Sequence, residues 1–323
     1  MIQDDIRLGA PRGRNFNFEA CTGAKGEDIL KQVNALEDGQ TDLVSYFNTV
    51  LIKSNPNGLQ MTITGGGNDV GFANVIRSCV VDGDWQNCHF HLDAETEWKI
   101  THEVADNLDR ILALAKFKIN PDHGRIYLTG YPKFWNADTT GCNSWNFAHK
   151  GRKKIYLDQE LRRKSNALTD KLNEQIRLAA ERAGPKIIFV NMDEFFTKCS
   201  GLFCEKGADN QKQNAKSDTL LFFVDGNKDQ KFDQNERNNR FASLQKREKG
   251  MLSKAWGYTT WMLTPDNRIR MFHPRSQGHG IIADLVIWHM QVENAKMRGV
   301  EPPRKPGVEV CPAKNQEVAQ RFD

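Results

Sequence analysis

The chain has 323 residues, room for two average domains or one large α/β domain with insertions. Hydrophobic residues make up 39% and charged ones 27%, so a sizeable core can be buried and disorder is not the default. No apolar run is long enough for a transmembrane helix, and a net charge of +4, scattered along the chain, gives no footprint for nucleic acid.

In chain order the pattern alternates strands with helices. The N-terminal stretch MIQDDIRLGAPRGRN has no apolar core, so the chain as it stands carries no signal peptide. Residues 15–20 alternate in polarity and lead through CTGAKGEDIL into a helix. Residues 59–64 read as a strand ending in Gly65-Gly66-Gly67, followed by a short helix over 72–80. Ile100, Val104, Leu108, Ile111, Leu112 and Ala115 form an apolar stripe along a helix over 94–117. Residues 124–130 are a strand, 154–183 the longest helix, 186–192 a buried type of strand, and 219–224 another strand or part of an insertion. Pro274 opens a helix that runs to about Met297, and the Pro- and charge-rich tail from Glu301 is expected to be poorly ordered. The alternation predicts one doubly wound, mostly parallel sheet with helices on both faces, and active sites in such folds lie at strand ends.

Seven cysteines are present, Cys21, Cys79, Cys88, Cys142, Cys199, Cys204 and Cys311. The short spacings Cys79/Cys88 and Cys199/Cys204 suit local loop staples, and disulfides are favoured over reduced thiols. The odd count leaves one cysteine without a partner, and no C-x-x-C pair suggests a zinc ribbon.

Three strand-end motifs stand out. Ala20-Cys21-Thr22-Gly23-Ala24 places a glycine between strand and helix, where a backbone N–H can face an anionic group. Gly66-Gly67-Asn68-Asp69 offers an amide donor in a turn that allows close approach. Phe272-His273-Pro274, followed by Gly278-His279, leaves His273 on a loop before a helix, a position for a general base; His279 falls inside the helix and reads as structural. Each alone also fits an ordinary turn or core position.

Together and in this order, ACTGA, ITGGGNDVGF and RMFHPRSQGHGIIAD resemble the SGNH (GDSL-type) hydrolases, notably secreted fungal and actinobacterial esterases and lipases, over roughly residues 15–295. The resemblance implies a three-layer α/β/α sandwich with a parallel, flavodoxin-like sheet. It implies carboxylic ester hydrolysis through a serine nucleophile, a histidine base and an oxyanion hole. Gly23 would supply a backbone N–H and Asn68 its side-chain amide to the oxyanion, and His273 would activate the serine and protonate the leaving alcohol. No metal or cofactor is implied. The expected partner is a small-molecule, lipid or acylated-glycan ester, with no nucleic acid, no transmembrane segment, a monomeric state and secretion.

Two departures from the family pattern are visible. No Gly-Asp-Ser occurs anywhere in the chain, and Ser45, Ser54 and Ser78 do not sit in a nucleophile-type turn. The position three before the base, often Asp, is Arg270. In this fold the serine's strand lies between the strand ending at Ala20 and the one ending at Thr64. Its loss predicts a gap in the sheet with two rows of unpaired backbone groups. In relatives the cysteine of the ACTGA-like block commonly pairs nearer the N-terminus, where Cys21 has no partner here. One expectation accounts for all of these: Met1 is an internal start, and the chain is an N-terminally truncated secreted esterase, inactive or unfolded on its own. The rival expectation is a non-catalytic binding protein that keeps the hydrolase cleft.

The expected organisation is a single hydrolase-like domain over 1–300, with an insertion around 198–250, and a tail over 301–323. Loops 82–93, 132–150 and 198–218 would shape the substrate pockets. Asp225, Asn227, Asp229, Asp233 and Glu236 follow EF-hand spacing, but the sharp-turn position is Gln230 rather than Gly, and an Asp/Asn-rich surface loop is the plainer reading. Cys88-His89-Phe90-His91 has donors for zinc but no second ligand pair. The basic runs 151–154 and 162–164 read as solvated surface, and the seven tryptophans as core packing.

Overall fold

A computed structural model describes residues 16–18, 24–35, 50–55, 58–75, 78–79, 85–92, 96–145, 155–206, 220–221 and 273–311. In chain order these hold β1 (Phe16–Phe18), α1 (Gly26–Ala35), β2 (Val50–Asn55), β3 (Gly58–Ile63), α2 (Phe72–Val75), α3 (Trp85–Phe90), α4 (Thr96–Lys99), α5 (Ala105–Lys118), β4 (Arg125–Thr129), α6 (Gln159–Ala183), β5 (Ile187–Val190), α7 (Asp193–Lys198) and α8 (Ser276–Arg298). The protein has an α/β fold. One five-stranded sheet runs β1-β2-β3-β4-β5.

The sheet is mixed rather than uniformly parallel. β3, β4 and β5 pair in parallel, with Met61 opposite Ile126 and Ile126 opposite Ile187. β2 pairs antiparallel with both neighbours, Ile52 lying opposite Phe16 on one side and Gln60 on the other. The predicted gap between the first strand and β3 is therefore filled. Residues 50–55, not recognised in the sequence as a strand, supply the ladder that both edges need. The physical reason is that unpaired N–H and C=O groups inside a sheet are costly, and a nearby segment of β-branched and apolar residues satisfies them. The Asn55-Pro56-Asn57-Gly58 string between two apolar runs was the available sequence signal.

β4 is buried on both faces. Arg125 Nε donates to Glu293 of α8 at 3.1 Å, and strand alternation sends Ile126 and Leu128 to the opposite face. Burial pushes the Tyr127 phenol far up, with the Glu293 carboxylate adding to it. α5 packs against both α1 and α6, through a core that includes Ile29, Val104, Leu108, Leu112, Leu172 and Ile176.

Several boundaries differ from the sequence reading. The long α6 starts at Gln159, not 154, because the Asp158 side chain caps it by accepting from the Leu161 N–H at 2.8 Å. The expected helix over 94–117 is interrupted by a π-helical turn, Ile100–Val104. α8 begins two residues after Pro274, and of the expected strand over 219–224 the described part, Leu220–Leu221, makes only an isolated bridge from Leu221 to Pro274. Three disulfides form, Cys79–Cys88, Cys142–Cys204 and Cys199–Cys311. The Cys199/Cys204 staple is thus overturned: each of those residues reaches a distant partner instead. Cys199–Cys311 also ties down the start of the tail, where Trp288 Nε1 donates to Pro303 O at 3.1 Å and Lys305 pairs with Glu194 at 2.8 Å. Most of the region 198–250, Cys21 and the Asp225–Glu236 loop lie outside the described residues.

Arg162 is another correction. It is 0% exposed, not solvated surface. Its guanidinium donates to the Asp158, Asn136 and Thr139 carbonyls and to Asn143 Oδ1. The planar fork thereby organises the 136–143 loop next to the Cys142–Cys204 bridge. Trp98, against expectation, is 54% exposed and stacks on His102 with ring centroids 4.9 Å apart.

Two predictions follow from this packing. Arg162→Ala leaves buried carbonyls unpaired and is expected to cost about 3–5 kcal/mol in denaturant unfolding, with Arg162→Lys failing to restore it. Burial also holds the His289 imidazole down at about 4 from its ordinary 6.5. The folded protein keeps it neutral while the unfolded chain takes up a proton. Stability present above pH 6.5 should therefore decline as pH falls toward 4, by roughly 3 kcal/mol, and His289→Gln should flatten that part of the curve.

Candidate active site

The Asn68 turn directly follows β3, at the end of the parallel strands where such sheets place their sites. After β3 the chain turns at Gly66, whose φ of +106° suits glycine. A Cβ at this position would sit 2.9 Å from Val104 Cγ1 on the π-helical turn. The turn closes through Val70 N–H to Gly66 O at 3.1 Å and Phe72 N–H to Gly67 O at 3.3 Å.

Asn68 is half-buried on that turn and donates from Nδ2 to Ala24 O at 2.9 Å. This bond brings the second motif against the first. Gly23 itself lies outside the described residues; its neighbour Ala24 is buried. Asp69 is buried too, and its Oδ1 accepts from Gly26 N–H at 2.9 Å and Asn107 Nδ2 at 3.0 Å. Burial raises its carboxyl above the usual range, while the Gly26 and Asn107 donors pull the other way.

The segment after β4 contributes Tyr131, whose hydroxyl accepts from Gly67 N–H at 3.0 Å. Burial raises its phenol well above the ordinary value. Tyr131 is in turn held by Asn173 of α6, through Tyr131 N–H to Oδ1 at 2.7 Å and Nδ2 to Tyr131 O at 2.8 Å. Beyond it, Lys133 bridges Asp170 at 2.8 Å and Asp193 at 3.1 Å.

His273 is half-buried on the loop before α8. The loop is anchored one step further on. Arg275 N–H donates to Leu220 O at 2.8 Å and Arg275 Nε to Leu221 O at 3.2 Å. A Cβ on Gly278 would lie 2.6 Å from Leu220 O and 3.1 Å from Phe196 of α7, which sets the start of α8 against the segment that follows β5. The loop bearing His273 is thus tied to Leu220–Leu221 and to α7, while Asn68 stands on the turn after β3. His279 is exposed on the first turn of α8.

The structure also bears on the lesser candidates. Cys88 is bonded to Cys79, so it has no thiolate for zinc. Among the described residues no group of three or more His, Cys, Asp and Glu could hold a metal ion. Ser54 lies within β2 and Ser78 is buried beside Cys79, so neither occupies a strand-to-helix turn. Sequence reading missed Asp69 as a link, and missed Tyr131, Asn107 and Asn173. Tyr131 directly follows the strand predicted to end at Gly130, which was a usable signal; Asn107 and Asn173 sit within helices and gave none.

Comparison with known proteins adds the following. The chain is 28% identical over 162 residues to a lipase from Streptomyces rimosus, which covers 50% of this chain and 48% of that protein. It is 29% identical over 190 residues to Lipase 1 from Streptomyces coelicolor, covering 58% of this chain and 57% of that one. It therefore spans about half the length of the curated relatives it matches. Among solved structures, it is similar to phospholipase A1 from Streptomyces albidoflavus at a TM-score of 0.45 and 22% identity, covering 66% of this chain and 69% of that one. The extracellular lipase from Streptomyces rimosus aligns at a TM-score of 0.45 and 24% identity, covering 64% and 68%. No family model matches.

Tyr131→Phe removes the acceptor of the Gly67 N–H. It is expected to cost about 1–3 kcal/mol in unfolding and to speed amide exchange at Gly67. Its three motifs resemble those of the SGNH (GDSL-type) hydrolases, and the chain is similar to the two Streptomyces lipases over about half of its length.

Proposed function

We propose that the chain carries the oxyanion-and-base half of a carboxylic ester hydrolase site. Asn68 and Gly23 are its oxyanion donors and His273 its base. The observation that carries this reading is the Asn68–Ala24 hydrogen bond, which sets two of the three motifs side by side at the C-terminal end of the parallel strands. An amide on a short, closed turn is preorganised, so it can stabilise a developing oxyanion without reorganising. His273 follows the same logic, on a loop pinned through Arg275 to Leu220 and Leu221.

With no Gly-Asp-Ser in the sequence, the chain binds ester-like ligands at this site without serine-type turnover. Loss of a triad nucleophile costs on the order of 10⁶ in kcat, which leaves binding and the oxyanion hole as the residual activity. The ligand class is a small, lipid or acylated-glycan ester. The names of the relatives favour lipid esters, and the loops over 132–145 and 198–206 flank the same sheet edge. Three disulfides support an oxidising, extracellular setting, and no helix among the described residues is long and apolar enough to cross a membrane. One domain over 1–300, acting as a monomer without cofactor or nucleic acid, completes the reading; the contiguous core among the described residues supports it, with residues 301–311 strapped on by Cys311.

The test uses p-nitrophenyl acetate and a non-hydrolysable ester analogue. The expected result is no burst of nitrophenolate, no rate above that of His273→Ala, and analogue binding weakened about tenfold or more in Asn68→Ala. A burst that His273→Ala abolishes would overturn the non-catalytic part of the reading, and analogue binding indifferent to Asn68 would overturn the site itself.

A further inference from the structure

The geometry points to Asp69 as a positioning residue that aims the Asn68 side-chain amide. For the use made of that amide, this rests on the ester-hydrolase reading; the positioning itself does not.

An asparagine amide carries two hydrogens on one nitrogen. One donor contact of Asn68 goes to Ala24 O at 2.9 Å, so the direction of the other is fixed only as well as Ala24 is fixed relative to the turn. The adjacent side chain supplies that constraint. Asp69 Oδ1 accepts from Gly26 N–H, two residues beyond Ala24. Neighbouring residues of one segment thus grip nearly neighbouring residues of the other, across sequence separations of 44 and 43. A single bond allows the two segments to pivot, whereas two bonds with opposite donor directions do not. Asn107 of α5 donates to the same oxygen at 3.0 Å and braces the carboxyl from the helix layer.

An ordinary helix cap does not explain this arrangement. A local Ser, Thr or Asp caps α1 equally well without burying a carboxyl. Here the first N–H of α1 is capped from across the fold, by the residue next to Asn68, and Asp69 Oδ2 is buried without a hydrogen bond among the described residues. A carboxyl group held out of water with half its acceptors unused is costly, and the cost falls at the one place where it locks the amide.

The experiment follows the Asn68 side-chain resonances in protein labelled with ¹⁵N at asparagine, assigned by their loss in Asn68→Asp. Asp69→Ala should move them to the positions of a free amide and speed their hydrogen exchange about tenfold or more, with the rest of the spectrum retained. Asp69→Asn keeps an acceptor oxygen and should leave them near their original positions. Asn107→Ala should shift them the same way by less, and decides the matter if Asp69→Ala does not fold. Unmoved Asn68 resonances in folded Asp69→Ala, or in Asn107→Ala if that variant must stand in, would overturn the proposal. So would Asp69→Asn behaving like Asp69→Ala. If the resonances respond as expected while the ester analogue does not bind, the hydrolase reading fails and the positioning role stands.

Discussion

A carboxyl group with almost no water around it connects three parts of this protein that are remote in sequence. Through one oxygen, Asp69 takes the first N–H of α1 and the Asn107 amide of α5 while standing on the turn that follows β3. Strand end, helix start and the packing layer above them are therefore one unit. The approach of the π-helical turn to Gly66, the Tyr131 hydroxyl under Gly67 and the Asn68–Ala24 bond all presuppose that unit. Burial makes each contact more demanding, because a polar group removed from water must find its partner in the protein.

The other side of the sheet edge is held by different means. Arg162 lies inside the fold with its donors directed at main-chain carbonyls, and it gathers the loop that carries Cys142. The two long-range disulfides then tie the segment after β5 to that loop and to the C-terminal tail. Ser200 and Cys204 adopt positive φ within this short, doubly bridged segment, a conformation that surrounding structure must enforce. Gly201 O of this segment accepts the Leu220 N–H at 2.9 Å, and Leu220 O in turn accepts the N–H of Arg275, two residues past His273. The Asn68 turn is set by hydrogen bonds, and the segment that anchors the start of α8 by covalent bridges.

The treatment of the sheet shows how far pattern reading reaches. Alternating strands and helices were legible because apolar residues recur at the spacing of each element, and β3, β4, β5, α5 and α8 fall close to where that spacing puts them. β2 was marked only by the turn string Asn55–Gly58 after a short apolar run, and its place between β1 and β3 depends on what those neighbours lack. The same applies to the disulfides. Proximity in sequence favoured Cys199 with Cys204, but the bridges follow distance in space, and the intervening turn sends the two thiols to different partners.

The sequence by itself determined the α/β class, the resemblance to the SGNH hydrolases and the three strand-end motifs, because these rest on short-range periodicity and on residue types that few other contexts combine. Only the tertiary structure decided that β2 runs antiparallel inside the sheet, that Arg162 is buried, and that Asp69 and Tyr131 support the Asn68 turn. The reason is common to all three. Burial and hydrogen-bond partnership are properties of pairs brought together across tens of residues, and nothing in the local sequence of either partner records the other.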